Sequence, residues 1–355
     1  MNSTYQPISK RSGSAGDMTL TTFNLYNLFP AEQEALVRIW GEWQRPFRQA
    51  QDRPFLPIQL AKLSLAIQYE LTLPAIIAVQ EVGSEAVLQQ LADQVNRAAG
   101  TDYHAISPPT SDRRGLQIGF LYDRQRVDLL LAEQLSGVDV AAAFGPHSAN
   151  PGREPLTAVF RIAHQEITII NNHFKSNYIP DEQAAKTRQV LQANLKQRTA
   201  QAQAVRRYVN EILAANPAAL LAVVGDLNTS RRDGTQEDLM APIRILEGRP
   251  PETRLTNLLP RKQNIHEYTF IWEGENEILD HILVSPALLE RLAGVDVLHF
   301  NAAYPEALRL ARSLANLVSG NGEVLGLAAL LEFQISRLAA RVDSDGSPIL
   351  LQQQD

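Results

Sequence analysis

The chain has 355 residues, 45% hydrophobic and 20% charged, with a formal net charge of −6. That length suits one large domain or two ordinary ones with a substantial core. The acidic balance argues against chain-wide attraction to nucleic acid but leaves room for a local basic cleft. With 0 cysteines, disulfides, thiol chemistry and Cys-ligated metal are excluded. No stretch approaches the roughly 18–20 apolar residues of a membrane span.

The opening 1–17 is polar, rich in Ser and Gly, and reads as a flexible leader without the apolar run of a secretion signal. As given, the chain is expected in the cytoplasm, and a secreted form would need a leader that the sequence does not show. Short β-rich runs follow at 18–29, 75–80, 115–123, 156–163 and 166–174, and again at 220–228, 268–272, 278–285, 295–301 and 347–352. Helical spacing marks 59–71, 84–99, about 184–215, and 305–340 broken at "SGNGE". The 184–215 segment reads as an apolar stripe with a charged opposite face. Adjacent strands with tight links, such as 156–163 to 166–174, predict mixed or antiparallel sheets flanked by helices. No repeat or linker divides 18–355, so a single domain is expected there.

The informative pattern is what ends the strands. The first run carries Asn24 and Asn27, the second ends in Gln80-Glu81, the fifth in "NNHFKSN", and 220–228 in "GDLN"; 278–285 holds Asp280-His281. Loops at strand ends present polar groups on a rigid frame, which is where ligands collect. Each piece also has a plain structural reading: Asn and Asp after strands are usually turn residues, and an Asp-His pair in a strand can be a core pair. Together, in this order, they point to a site.

In that order the pieces resemble the endonuclease/exonuclease/phosphatase superfamily, metal-dependent phosphohydrolases related to deoxyribonuclease I. "FNLYNLF", "IIAVQEV", "GLQIGFLYD", "REPLTAVF", "NNHFKS", "VVGDLN" and "ILDHILVS" carry the likeness across about residues 18 to 352. "NNHFKS", "YTFIWEGENEILDHILVSPAL" and "FNAAYPEAL" look closest to its bacterial extracellular-nuclease-like branch. The resemblance implies an α/β (α+β) four-layer sandwich, two mixed β-sheets face to face with helices outside. It implies Asn24 and Glu81 as ligands of Mg2+ (or Mn2+ or Ca2+), Asp226 orienting the attacking water, and Asn228 holding the phosphate and the Asp loop. His173 would bond a non-bridging phosphate oxygen, with Lys175, Ser176 and Asn177 as further phosphate contacts or as solvated groups. The implied substrate is a phosphodiester, DNA or RNA among the alternatives; substrate identity and oligomeric state stay open.

The superfamily closes its site with Ser-Asp-His, whose Asp contacts the metal and whose His, oriented by the Asp at position 280, serves as general base. Here the aligned residues are Ser344, Asp345, Gly346, Ser347 and Pro348, so Asp345 is retained as a metal or catalytic residue and the histidine is absent. Strand alternation turns His281 to the opposite face from Asp280, and no other histidine is aimed at the site by the sequence. Three readings follow: a hydrolase with altered proton handling, a pseudoenzyme that binds phosphate-bearing ligands without cleaving them, and a protein-binding scaffold. The retained set Asn24, Glu81, His173, Asp226 and Asn228 speaks against the third.

Overall fold

The computed structural model describes residues 18–30, 55–148, 151–177, 179, 186–230, 239–259, 268–272, 275–298, 340–342 and 348–350. The strands are β1 (Leu20–Leu28), β2 (Ile76–Val82), β3 (Tyr103–Ile106), β4 (Gln117–Asp123), β5 (Asp128–Gln134), β6 (Leu156–Ile162), β7 (Gln165–His173), β8 (Leu220–Asp226), β9 (Thr256–Asn257), β10 (Phe270–Trp272), β11 (Glu275–Glu277), β12 (Asp280–Val284), β13 (Ala340–Val342) and β14 (Pro348–Leu350). The helices are α1 (Phe55–Leu65), which continues as a π-helical turn, α2 (Glu85–Ala99), α3 (Val138–Ala143), α4 (Thr187–Ala215), α5 (Ala241–Glu247) and α6 (Pro286–Leu289).

Two sheets carry the site, one ordered β1-β2-β4-β3 and the other β5-β6-β7-β8-β12-β9. Both are mixed: β1 with β2 and β7 with β8 are parallel, and the remaining pairs are antiparallel. The period-2 alternation of the strands sorts their apolar residues to two sides. Ile76, Ala78, Ile118, Phe120, Ala158, Ile169, Ala222 and Val224 fill the space between the sheets. Ile170, Val223 and Leu283 face outward onto Ala202, Val205 and Val209 of α4, while Ile77, Val79 and Leu121 face Leu88, Leu91 and Val95 of α2. The result is the expected four-layer order of helix, sheet, sheet and helix.

A hydrogen-bonded polar pair, Asn171 and Gln80, interrupts the inter-sheet core. Asn171 of β7 donates to the carbonyls of Val79 (3.0 Å) and Gly119 (2.8 Å) and accepts from Gln80 Nε2 (2.7 Å). A buried amide left unpaired costs about 1–3 kcal/mol; fully paired, this one fixes the register of one sheet on the other. The loop from β2 into α2 is equally constrained, because Ser84 caps the helix by accepting the Val87 N–H.

β3, β5, β9, β11 and β13 and the helices α3, α5 and α6 were not marked by the sequence pattern. β5 reads Asp-Leu-Leu-Leu-Ala-Glu-Gln; it is an edge strand with Leu130 and Leu131 exposed, so it lacks the alternation of a half-buried strand. Residues 295–298, expected as part of a strand, have no regular structure; of the expected helical region 305–340, residues 305–339 lie outside the described residues and Ala340 opens β13. β14 pairs antiparallel with β13 in a sheet of their own.

Gly225, directly before Asp226, has φ +130°, and a Cβ there would lie 2.0 Å from the Asn172 carbonyl oxygen. Gly225→Ala therefore meets both strain and a backbone clash and is expected to cost at least about 2 kcal/mol of unfolding free energy. Gly100→Ala, with positive φ but open space around it, should cost about 1 kcal/mol. Urea unfolding of the two variants checks the ranking.

Candidate active site

The parallel pairing of β7 with β8 sets His173 opposite Asp226, and the antiparallel pairing of β8 with β12 sets Asp226 opposite Asp280. Three neighbouring strands thus present one row of functional groups at one end of the six-stranded sheet. The facing sheet supplies Asn24 from β1 and Glu81 from β2. Strict alternation would turn Glu81 away from Gln80, which points between the sheets. Instead the pairing of β2 with β4 slips between Gln80 and Val82, and Glu81 takes φ +61°. This bulge re-aims the side chain. Tyr26 (φ +52°), Asn27 (φ +57°) and Asn228 (φ +47°) share the left-handed conformation, so non-glycine strain gathers around the site.

The contacts are specific. Asn24 Nδ2 donates to Asp226 Oδ2 (3.0 Å), and the Asn228 N–H donates to Asp226 Oδ1 (2.9 Å). Glu81 Oε2 accepts the Asn27 N–H (2.9 Å), while its Oε1 lies 4.0 Å from His173 Nε2. Asp226 Oδ2 is 3.7 Å from the same nitrogen. The Thr269 hydroxyl accepts the N–H of Asp280 (3.1 Å), and Asp280 Oδ1 is buried with no hydrogen-bond partner among the described residues. His173, 3% exposed, likewise has an unpartnered Nδ1.

Electrostatics follow from this crowding. Burial raises Asp226 well above the usual carboxylate range, and the charges of Asp280 and Glu81 add to the rise. Burial also lifts Asp280 to about 6, with Glu81 contributing. His173 is pushed well below the usual imidazole range by burial and then by Arg153, Arg114 and Lys175, so it is neutral at neutral pH.

The structure brings Asn24, Glu81, His173, Asp226, Asn228 and Asp280 together as the sequence suggested. Asn228 Nδ2 donates to the Phe174 carbonyl (3.1 Å), which holds the strand exits in place. Lys175, Ser176 and Asn177 sit half-buried on the loop after β7. His281 faces away from Asp280 as alternation requires, its Nε2 3.0 Å from the Thr229 carbonyl and its Nδ1 3.2 Å from Asn257 Nδ2. Asp345 and Gly346 lie outside the described residues.

Sequence reading missed the guanidinium groups behind the row. Arg153 pairs with Asp112 (2.9 Å) and donates to the carbonyls of His173 (3.2 Å) and Phe174 (2.9 Å). Arg198 of α4 donates to the Lys175 carbonyl (3.0 Å) and is 2% exposed, although the helix pattern placed its charges on an outer face. The "REP" beside β6 was a usable signal for Arg153; an arginine within a charged helix carried none for Arg198.

Residues 19–304 match the Endonuclease/Exonuclease/phosphatase family, and residues 296–355 match a family of unknown function (DUF6596). Asp345 and Gly346 therefore fall in the stretch matched by the second family alone. An uncharacterized protein of Rhizobium meliloti (strain 1021) is 48% identical over 50 residues, 14% of this chain; the chain spans only 12% of that relative. Among solved structures, beta toxin of Staphylococcus aureus (a β-hairpin deletion mutant) has TM-score 0.45 and 14% identity, covering 77% of this chain and 88% of its own. An endonuclease/exonuclease/phosphatase family protein of Bacteroides thetaiotaomicron has TM-score 0.41 and 17% identity, covering 76% and 83%. A humanized D. rerio TDP2 has TM-score 0.42 and 16% identity, covering 75% and 82%.

A carboxyl whose folded pKa lies above its unfolded value stabilises the fold fully only below the unfolded pKa. For Asp280, with 3.8 as the ordinary value and about 6 in the fold, that stabilisation is lost as pH rises from about 4 through about 6. In chelator, the unfolding free energy of the protein is expected to fall over that interval. Asp280→Asn should flatten the fall, as measured by urea unfolding at a series of pH values.

Proposed function

The chain belongs to the Endonuclease/Exonuclease/phosphatase family, and from that premise we propose that it is a divalent-metal-dependent phosphohydrolase acting on phosphodiesters, nucleic acid among them. The observation that carries the reading is the register-matched row His173, Asp226 and Asp280 facing Glu81 and Asn24 across the gap between the sheets.

The oxygen donors suit a hard cation in chemistry, although among the described residues no three acidic or histidine side chains already converge as a ligand set. Burial and the neighbouring carboxylates raise the proton affinity of Asp226 and Asp280, and Asp280 Oδ1 is left without a partner among the described residues; a bound cation relieves both. Glu81 and Asn24 would hold it, with Asp226 and Asp280 alongside. One or two carboxylates with the remaining positions left to water suit Mg2+ better than a closed protein cage. Bound there, the ion would supply positive charge against the phosphate and lower the pKa of water.

The remaining chemistry belongs to the chain. Asn24 and the Asn228 N–H fix both oxygens of Asp226, which orients that carboxylate toward an attacking water. Its raised proton affinity makes Asp226 the group placed to take the water's proton, in the part that a histidine at position 346 would otherwise play. Neutral His173 donates from Nε2 to a non-bridging phosphate oxygen and stabilises the charge that grows in the transition state. Asp345 lies outside the described residues, in a segment that matches the second family, and no step is assigned to it.

A second reading, binding without turnover, is favoured by one observation: His173 is the histidine facing the acids among the described residues, and His281 is locked elsewhere.

Hydrolysis of bis(p-nitrophenyl) phosphate and of plasmid DNA, with Mg2+ and with chelator, decides between them. The enzyme reading expects metal-dependent turnover by the full chain, falling at least about 100-fold in His173→Ala and Glu81→Ala and about 10²–10⁴-fold in Asp226→Asn. No metal-dependent turnover on either substrate, with Mn2+ still bound, would leave binding as the role.

A further inference from the structure

Behind the acid row lies a surplus of positive charge that a single scissile phosphate does not use. Arg153 and Arg114 share one carboxylate, Asp112, at 2.9 Å and 3.4 Å. Arg198 is buried and forms no ion pair among the described residues; its Nη1 donates to the Lys175 carbonyl, and the carboxylate whose charge it feels is Asp226. Lys175 lies close enough to Arg153, Arg114 and Arg198 to feel all three, and its ammonium makes no ion pair or hydrogen bond among the described residues. Lys175 thus feels three guanidinium groups against one carboxylate, Asp112, while Arg198 also feels Asp226 of the acid row.

The backbone here is rigid. Arg153 holds the carbonyls of His173 and Phe174, Asn228 also holds that of Phe174, and Arg198 holds that of Lys175. The Lys175 N–H is taken by Gln201 Oε1 (2.9 Å). Guanidinium and amide groups therefore fix both peptide groups of Lys175, two residues beyond His173. Such fixing cuts the ordering cost of any ligand contact the side chain makes. Arg114 remains partly exposed, with 37% of its side chain accessible, so it too can reach a ligand.

We propose that Lys175 and Arg114, set in place by Arg198 and Arg153, form an anion subsite that takes a second phosphate group of the substrate, next to the one being hydrolysed. The inference rests on the phosphohydrolase reading and narrows its substrate class to phosphate esters carrying a further phosphate. Burial and the neighbouring guanidinium groups bring the Lys175 ammonium down to about 8. An uncompensated cation of that kind gains most from a phosphate, which restores the missing negative charge. The second phosphate can be a terminal monoester or the next linkage of a nucleic acid strand; both present the same oxygens to the two side chains.

Binding tests this without requiring turnover, so an inactive protein and an absent subsite give different results. Thymidine 5′-monophosphate, thymidine 3′,5′-bisphosphate and 5′-phosphorylated dithymidylate are titrated calorimetrically into the full chain with Mg2+ at fixed salt. At least one of the two-phosphate ligands is expected to bind about tenfold or more tightly than the monophosphate. A larger gain for the bisphosphate identifies a terminal phosphate as the natural occupant, and a larger gain for the dinucleotide identifies a strand linkage. In Lys175→Gln and Arg114→Gln that advantage should shrink to about twofold, with circular dichroism unchanged. Lys175→Arg, which keeps the charge, should retain most of it. Equal affinity for all three ligands in the wild type overturns the proposal, as does an advantage that survives both glutamine substitutions in folded protein.

Discussion

Like charges forced together in a poorly solvated place are the constraint on which this structure turns. Asp226 and Asp280 face each other across an antiparallel strand pair, and Glu81 leans toward them from the other sheet. Two unit charges about 4 Å apart repel by roughly 4 kcal/mol at the effective dielectric of a protein. A fold that is marginally stable overall tolerates that arrangement only if proton uptake or a cation offsets it. The bulge at Glu81 re-aims that acid toward the row, and the Asn171 hydrogen bonds fix one sheet on the other.

The basic half is the counterpart. Arg153 and Arg198 are buried not to pair with the acids but to hold the carbonyls of the loop that carries His173 and Lys175. Burial first, and then the charge of Arg153 with Arg114 and Lys175, keeps His173 neutral, and these cations leave an electropositive face beside the row. The acidic net charge of the whole chain says nothing about this face, because the division is local.

Much of this was legible in the sequence, for a physical reason. Buried strands must be apolar and alternate, so a polar residue at a strand end stands out; Glu81, His173, Asp226 and Asp280 were all found that way and meet in space. What the sequence hid lies where pattern and position separate. Arg198 sits in a helix full of charges, and only tertiary packing decides which charge turns inward. β5 is an edge strand with exposed leucines and imitates no template. "SDGSP" matches a closing motif through Ser, Asp and Pro, and residues 343–347 lie outside the described residues.

The direct test of the central claim is a Mn2+ titration of the chelator-treated full chain, followed by the paramagnetic signal of the free ion. The account predicts one bound ion per chain, an affinity that falls at least about tenfold in Glu81→Gln, and loss of binding as pH drops below about 6, where Asp280 takes up its proton. A wild-type protein that binds no Mn2+ at millimolar concentration, or a Glu81→Gln variant that binds it unchanged, would contradict it.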